Sequence, residues 1–176
     1  MLIKIGRALR DVQVDMRTIT CDYQRTDTTQ TLREGLDEYH VDGGVYDAGD
    51  MTEASAQWFR SHDATHVLFG CNTTPEQEAL TSTWTMFGTD WQVADFIAEG
   101  TRPDQRSRLM GEIVGGVGYG RMTFLVFATL PGVIEVARRA RAMRRKWIIG
   151  DYERYLDVPL DEIRRDYHIQ VYQRPN

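Results

Sequence analysis

Apolar residues recur along most of this chain at intervals of three and four, the spacing that puts side chains on one face of a helix. Leu2, Ile5, Leu9 and Val12 predict a short helix over 1–12, and the polar stretch 13–27 reads as a loop. Leu32, Leu36 and Tyr39 predict a helix capped by Thr28 or Thr29 and stopped at Asp42-Gly43-Gly44. After a turn at Asp47–Asp50, a central helix is predicted over 51–70, with Thr52 or Asp50 as cap, Glu53 in its first turn and Gly70 as its stop. Ser55, Phe59, His62 and His66 share its inward face.

Thr74-Pro75-Glu76 starts the next helix, with a Thr cap, Pro at the first position and acid in the first turn. Its stripe of Leu80, Trp84, Phe87, Trp91, Ala94 and Ile97 allows an end at Phe87 or, past Gly88, at Ala98. A glycine-rich helix over 105–129 follows, bearing Gly111, Gly115, Gly116, Gly118 and Gly120. Each helical glycine costs roughly 0.5–1 kcal/mol, so the run implies close helix approach or room for a ligand tail. Pro131 predicts the start of an amphipathic helix to Trp147, apolar at Val133, Val136, Ala137, Ala140 and Met143 and basic elsewhere. A short segment at Tyr152–Leu156, a last helix at Leu160–Tyr167 and an exposed tail complete the series. No strand pairs emerge. The expected fold is all-α, a single domain over 1–176 of about six or seven helices, with 1–49 its weakly patterned N-terminal part.

Composition changes this picture little, and charge changes it more. Residues 1–100 carry 7 basic and 17 acidic side chains, and residues 101–176 carry 14 and 9. An acidic first half argues against nucleic acid as a partner, while the basic helix 131–147 suits an anionic membrane surface. Arg121 and Glu112 interrupt the apolar run near 122–130, which argues against a membrane span. Cys21 and Cys71 form no CxxC pair, which suits a reducing compartment, and Cys71 reads as a small core residue. The first residues lack the pattern of a secretory or transit peptide. The expected location is the cytoplasm of a bacterium, peripheral to the inner face of the membrane.

The candidate chemistry lies in the central helix. His62 and His66, four apart, project from one face and are spaced to hold one metal ion. The short turn at Gly70 makes the next helix antiparallel and brings Glu78 back toward them. Asp63, about 100° round the helix from His62, is a fourth candidate that ligates directly, orients a histidine or acts as a base on metal-bound water. This N₂O₂ set fits Zn²⁺ first, with Mn²⁺, Co²⁺, Fe²⁺ or Mg²⁺ compatible, and it looks open enough for Lewis-acid work. His40 and His168 read as surface or packing residues. The upstream His and downstream Asp ligands that an HD-type phosphohydrolase needs have no convincing counterpart.

His62-Asp63-x-x-His66-x(11)-Glu78 resembles the HDxxHx(11)E signature of the COQ4 family of ubiquinone-biosynthesis proteins. Gly70 with Thr74-Pro75-Glu76 is similar to the turn inside that signature. Tyr152-Glu153-Arg154, Pro159-Leu160 and Ile163-Arg164-Arg165 resemble the family's C-terminal pattern. The likeness spans roughly 50–169. It implies an all-helical fold, a divalent metal on His62, Asp63, His66 and Glu78, and a hydrophobic pocket for a polyprenyl tail. The reaction implied is oxidative C1 decarboxylation of a polyprenylated 4-hydroxybenzoate-derived intermediate. Implied partners are a prenylated aromatic or isoprenoid lipid, the membrane surface, other quinone-biosynthesis proteins and a second copy in a homodimer. A lipid-binding scaffold with a structural metal is the alternative, as is recruitment to another small-molecule pathway. Two departures stand out. Residues before Asp50 do not align, and Ala64-Thr65 are small where the family often carries a bulky aromatic, which bears on pocket shape.

Overall fold

The computed structural model describes residues 20–42, 53–91 and 119–173, with 54–55 and 119–127 as backbone only. The expected helix over 1–12, the turn at 47–50 and the glycine run 111–118 lie outside the described residues. Five α-helices and two 3₁₀ turns make up the described architecture: a turn at Asp22–Gln24, α1 (Leu32–Val41), α2 (Glu53–Phe69), α3 (Pro75–Gly88), α4 (Tyr119–Arg141), a turn at Ile149–Tyr155 and α5 (Leu160–Tyr167). The all-α expectation holds. Two isolated bridges, Thr31 with Pro159 and Thr89 with Trp147, are the β-type pairing among the described residues.

Helix α1 starts two or three residues later than its pattern suggested, because Thr31 rather than Thr28 or Thr29 makes the cap. Its hydroxyl accepts from the Glu34 N–H, and the Glu34 carboxylate accepts from the Thr31 N–H at 2.8 Å. That reciprocal pair satisfies two donors that the helix start would otherwise orphan. Helix α3 begins at Pro75 behind the Thr74 cap, as its residues dictate. Of the two ends its stripe allowed, it takes the first, at Gly88.

Helix α4 corrects the expectation of two helices meeting at Pro131. It runs unbroken from Tyr119 to Arg141, with Pro131 inside. A helix-interior proline costs ~3 kcal/mol through a lost N–H bond and a clash with the preceding turn. Thr129, Gly132, Val136 and Ala140, all buried, continue one stripe past the proline. Gly132 lies against Leu80 of α3, and Ala140 lies against Gly88. This packing outweighs the proline. The helix then stops at Arg141, short of the expected end. Trp147 leaves the stripe and docks by backbone, its N–H donating to the Gly88 carbonyl at 2.9 Å.

The basic residues beyond Pro131 are not simply a solvated face. Arg138 and Arg139 both bond Glu135, Arg139 also donates to the Gln170 and Val171 carbonyls, and Arg141 stacks on Phe87. The tail expected to be exposed is also corrected. His168 adopts a left-handed conformation (φ 59°) that ends α5 and turns the chain back, burying Ile169 and Val171.

The core is built on Tyr23, Leu32, Tyr39, Val67, Leu68, Phe69, Leu80, Trp84, Val136, Trp147, Leu160 and Ile163. Phe69 of α2 and Trp84 of α3 stack nearly parallel, centroids 4.5 Å apart. Gly35 lets α1 meet α2 closely: a Cβ there would sit 2.6 Å from Val67 Cγ1. No helix among the described residues is long and apolar enough to cross a membrane.

Candidate metal centre

The α2–α3 hairpin brings His62, His66 and Glu78 together. Their nearest ligand atoms all lie within 4.8 Å of one another. The two imidazole centroids are 4.7 Å apart, and His66 Nε2 is 3.4 Å from Glu78 Oε1. Two atoms each about 2.1 Å from an ion at a tetrahedral angle are themselves about 3.4 Å apart. The His66–Glu78 spacing is therefore compatible with a shared ion.

His66 is fully buried, and its two ring nitrogens differ. Thr81 Oγ1 gives its single hydrogen to the Gln77 carbonyl at 3.0 Å, so it accepts from His66 Nδ1–H at 3.2 Å. In that tautomer Nε2 carries a bare lone pair. That Nε2 has no hydrogen-bond partner and faces the Glu78 carboxylate. A lone pair aimed at a carboxylate oxygen from 3.4 Å is unfavourable unless a cation lies between them. An imidazole oriented by a hydrogen bond at its far nitrogen is also the usual state of a metal ligand. The residues fit a divalent ion.

His62 stacks on Trp58, centroids 5.1 Å apart and nearly parallel. Burial, reinforced by neighbouring His66, pushes its imidazole down to about 4, so it is neutral near pH 7. Burial raises the Glu78 carboxyl, but a donor and positive charge on the His66 side, whether a proton or a shared cation, outweigh burial and hold it below its usual range. At neutral pH the cluster thus offers imidazole and carboxylate in the forms that metals take.

Asp63 stands apart. Its carboxylate is not in the cluster and lies 3.1 Å from His40 Nε2, on the last turn of α1. Burial raises its carboxyl while His40 opposes the rise. Cys71 is buried and its thiol is pushed up to about 12 by burial, a core residue as expected.

Three residues around the centre were given no role there by sequence reasoning. Thr81 sits between stripe residues Leu80 and Trp84, where a small polar side chain is a faint signal. His40 gave none, since its partner is brought by α1 packing on α2. Arg164 gave a clear one: it shares the stripe of Leu160, Ile163 and Tyr167 on α5, where a charge is out of place. Buried to 4% exposure, it donates to the carbonyls of Leu68, Val67, Tyr23 and Arg25 at 2.6–2.9 Å. It so caps the C-terminal end of α2, the end that carries His66. Burial lowers its guanidinium to about 10, opposed by Cys71 and Asp161. Compared with known proteins, the chain matches no family model, no curated protein and no solved structure.

Proposed function

We propose that this protein is a divalent-metal enzyme of the COQ4 type, acting on a prenylated aromatic acid. The reaction class is oxidative C1 decarboxylation of a 4-hydroxybenzoate-derived intermediate. The observation that carries the metal reading is the bare, buried Nε2 of His66 facing Glu78. Zn²⁺ suits the N₂O donor set best, with Mn²⁺, Co²⁺, Fe²⁺ and Mg²⁺ as alternatives. A bound ion of this kind supplies a Lewis acid for an oxygen of the substrate.

The chain's own contributions follow from its residues. His62, His66 and Glu78 hold the ion. Thr81 keeps the His66 ring turned toward it. Trp58 lies flat on His62, and Trp91 stands 5.9 Å from Trp58. Both indoles are partly exposed, which supports an aromatic ring as the group recognised beside the metal. On the outer face of α4, Leu130 and Ile134 are 47% and 63% exposed, followed by exposed Arg138 and Arg141. An apolar pair backed by arginines supports docking on an anionic membrane, where a prenylated substrate resides. The scaffold reading, in which the protein gathers quinone-biosynthesis enzymes or pairs with a second copy, draws on that same exposed face.

The test is metal analysis of the purified chain, with turnover of a prenylated 4-hydroxybenzoate derivative. The expected result is one divalent ion per chain and turnover that His66→Ala abolishes while the variant keeps native circular dichroism. A chain free of metal whose His66→Ala variant keeps full activity refutes the metal-dependent enzyme. Absence of turnover by the metal-loaded chain, with loss of complex assembly in His66→Ala, favours the scaffold.

A further inference from the structure

Asp63 follows a metal-binding histidine directly in sequence, and the resemblance counts it among the ligands. Its geometry points elsewhere. The Asp63 Oδ2 lies 3.1 Å from His40 Nε2, while the cluster of convergent donor atoms is His62, His66 and Glu78 alone among the described residues. The Asp63 side chain is only 10% exposed. A buried carboxylate needs a donor, and without one it is costly. His40 is that donor. It is delivered by α1, whose preceding residue Tyr39 lies with its ring 5.2 Å from His66. One helix thus lays adjacent side chains on two members of the His62-Asp63-x-x-His66 stretch. Gly35 sets the close approach of that helix to α2.

We infer that His40 holds the Asp63 carboxylate out of the ligand set, so that, among the described residues, the centre binds its ion through His62, His66 and Glu78. His40 is then a positioning residue that sets the coordination number. Three protein donors leave positions free for substrate, as in catalytic rather than structural sites. The inference rests on the metal reading above and refines it. It also makes a signed prediction. Removing the partner of an outer carboxylate ordinarily weakens a site by ~10–100-fold. Here removal of His40 frees a buried anion beside a cation site, so binding tightens.

The experiment titrates Co²⁺ into the metal-free chain, read by calorimetry and by visible ligand-field absorption. The wild type is compared with His40→Ala, His40→Gln, Asp63→Asn and His66→Ala, each checked for native circular dichroism. Wild type is expected to bind one Co²⁺, and His66→Ala to lose more than about 100-fold in affinity, beyond the usual effect of an outer residue. Asp63→Asn keeps the wild-type spectrum and affinity within about threefold, since no donor is lost. His40→Ala binds about tenfold tighter, with altered bands as an extra oxygen enters. His40→Gln, whose amide still donates to Asp63, restores the wild-type spectrum. If Asp63→Asn loses as much affinity as His66→Ala, Asp63 is a ligand and the inference fails. It fails equally if His40→Ala leaves both readouts unchanged. Absence of Co²⁺ binding by the wild type is a different result: it overturns the metal centre itself.

Discussion

Replacing Arg164 by Met tests whether the buried guanidinium holds the metal hairpin in place. The side chain makes four hydrogen bonds to main-chain carbonyls and has no carboxylate among those partners. Bonds from a charged donor contribute ~1.5 kcal/mol each at the low end, so four give ~6 kcal/mol. Against this stands the cost of burying the charge. A guanidinium lowered from its ordinary 12.5 to about 10 has lost ~3 kcal/mol of preference for its charged form. Met fills similar volume and carries neither term. The expected net loss for Arg164→Met is therefore ~3 kcal/mol, or roughly 6–12 °C in Tm for a chain of this size. Arg164→Lys keeps the charge but brings one nitrogen to carbonyls spread over two segments, and should lose about half as much. Urea unfolding at neutral pH measures both, through a lower midpoint at unchanged slope. A Met variant within about 0.5 kcal/mol of wild type, or more stable, as when other buried charges were replaced by apolar groups, would falsify the reasoning. Because Leu68 and Val67 end the helix that carries His66, metal affinity should fall along with stability.

Three further perturbations probe the same frame. Thr81→Val removes the acceptor for His66 Nδ1 while conserving shape, and should weaken Zn²⁺ binding ~10-fold by calorimetry; an unchanged Kd means Thr81 does not orient the ring. Gly70→Ala forces a Cβ onto a φ of 71° and to 2.5 Å from Val171 Cγ1. Its cost is ~1–2 kcal/mol for the backbone and ~1–3 for the overlap, partly returned in Gly70→Ala/Val171→Ala. A double variant no more stable than the single removes the packing explanation. Glu135, held down to about 2 by its hydrogen bonds to Arg138 and then Arg139, has a folded value below its ordinary 4.5. Its contribution is complete above 4.5 and is lost as pH falls toward 2. Glu135→Gln should therefore flatten the acid limb of the stability–pH curve, and an unchanged limb counts against the pairing.

Most of the helices were readable in the residues, and the misses have physical causes. Thr74-Pro75 and Gly70 bracket the hairpin turn with local chemistry, so its bounds came out close. The bounds of α5 came out right because apolar positions recur at helical spacing from Leu160 to Tyr167. At Pro131 the local signal is strong but the packing against Leu80 and Gly88 is stronger, and only a neighbouring helix reveals that. The site divides in the same way. The His62–His66 spacing is a helix property and was visible. Glu78 needed only a short turn to come back toward it. The diversion of Asp63 to His40 depends on α1 crossing α2, and residue spacing carries no record of that crossing. The tail looked exposed because Ile169 and Val171 alternate with polar residues after a helix end, a pattern shared by loose and packed segments.

The reach of Arg164 has a consequence for how the chain assembles. Its partners Arg25 and Tyr23 precede it by 139 and 141 positions, and Leu68 and Val67 by 96 and 97. During synthesis, the histidines and Glu78 emerge long before the residue that locks their helix end. Until α5 arrives, the nascent hairpin has its imidazoles but not its clamp. Contacts of such sequence separation are slow to form, because the intervening chain must be ordered before they reward it. On the proposed metal reading, loading would be tied to a late folding event, and an ion captured earlier would meet a looser and less selective set of donors.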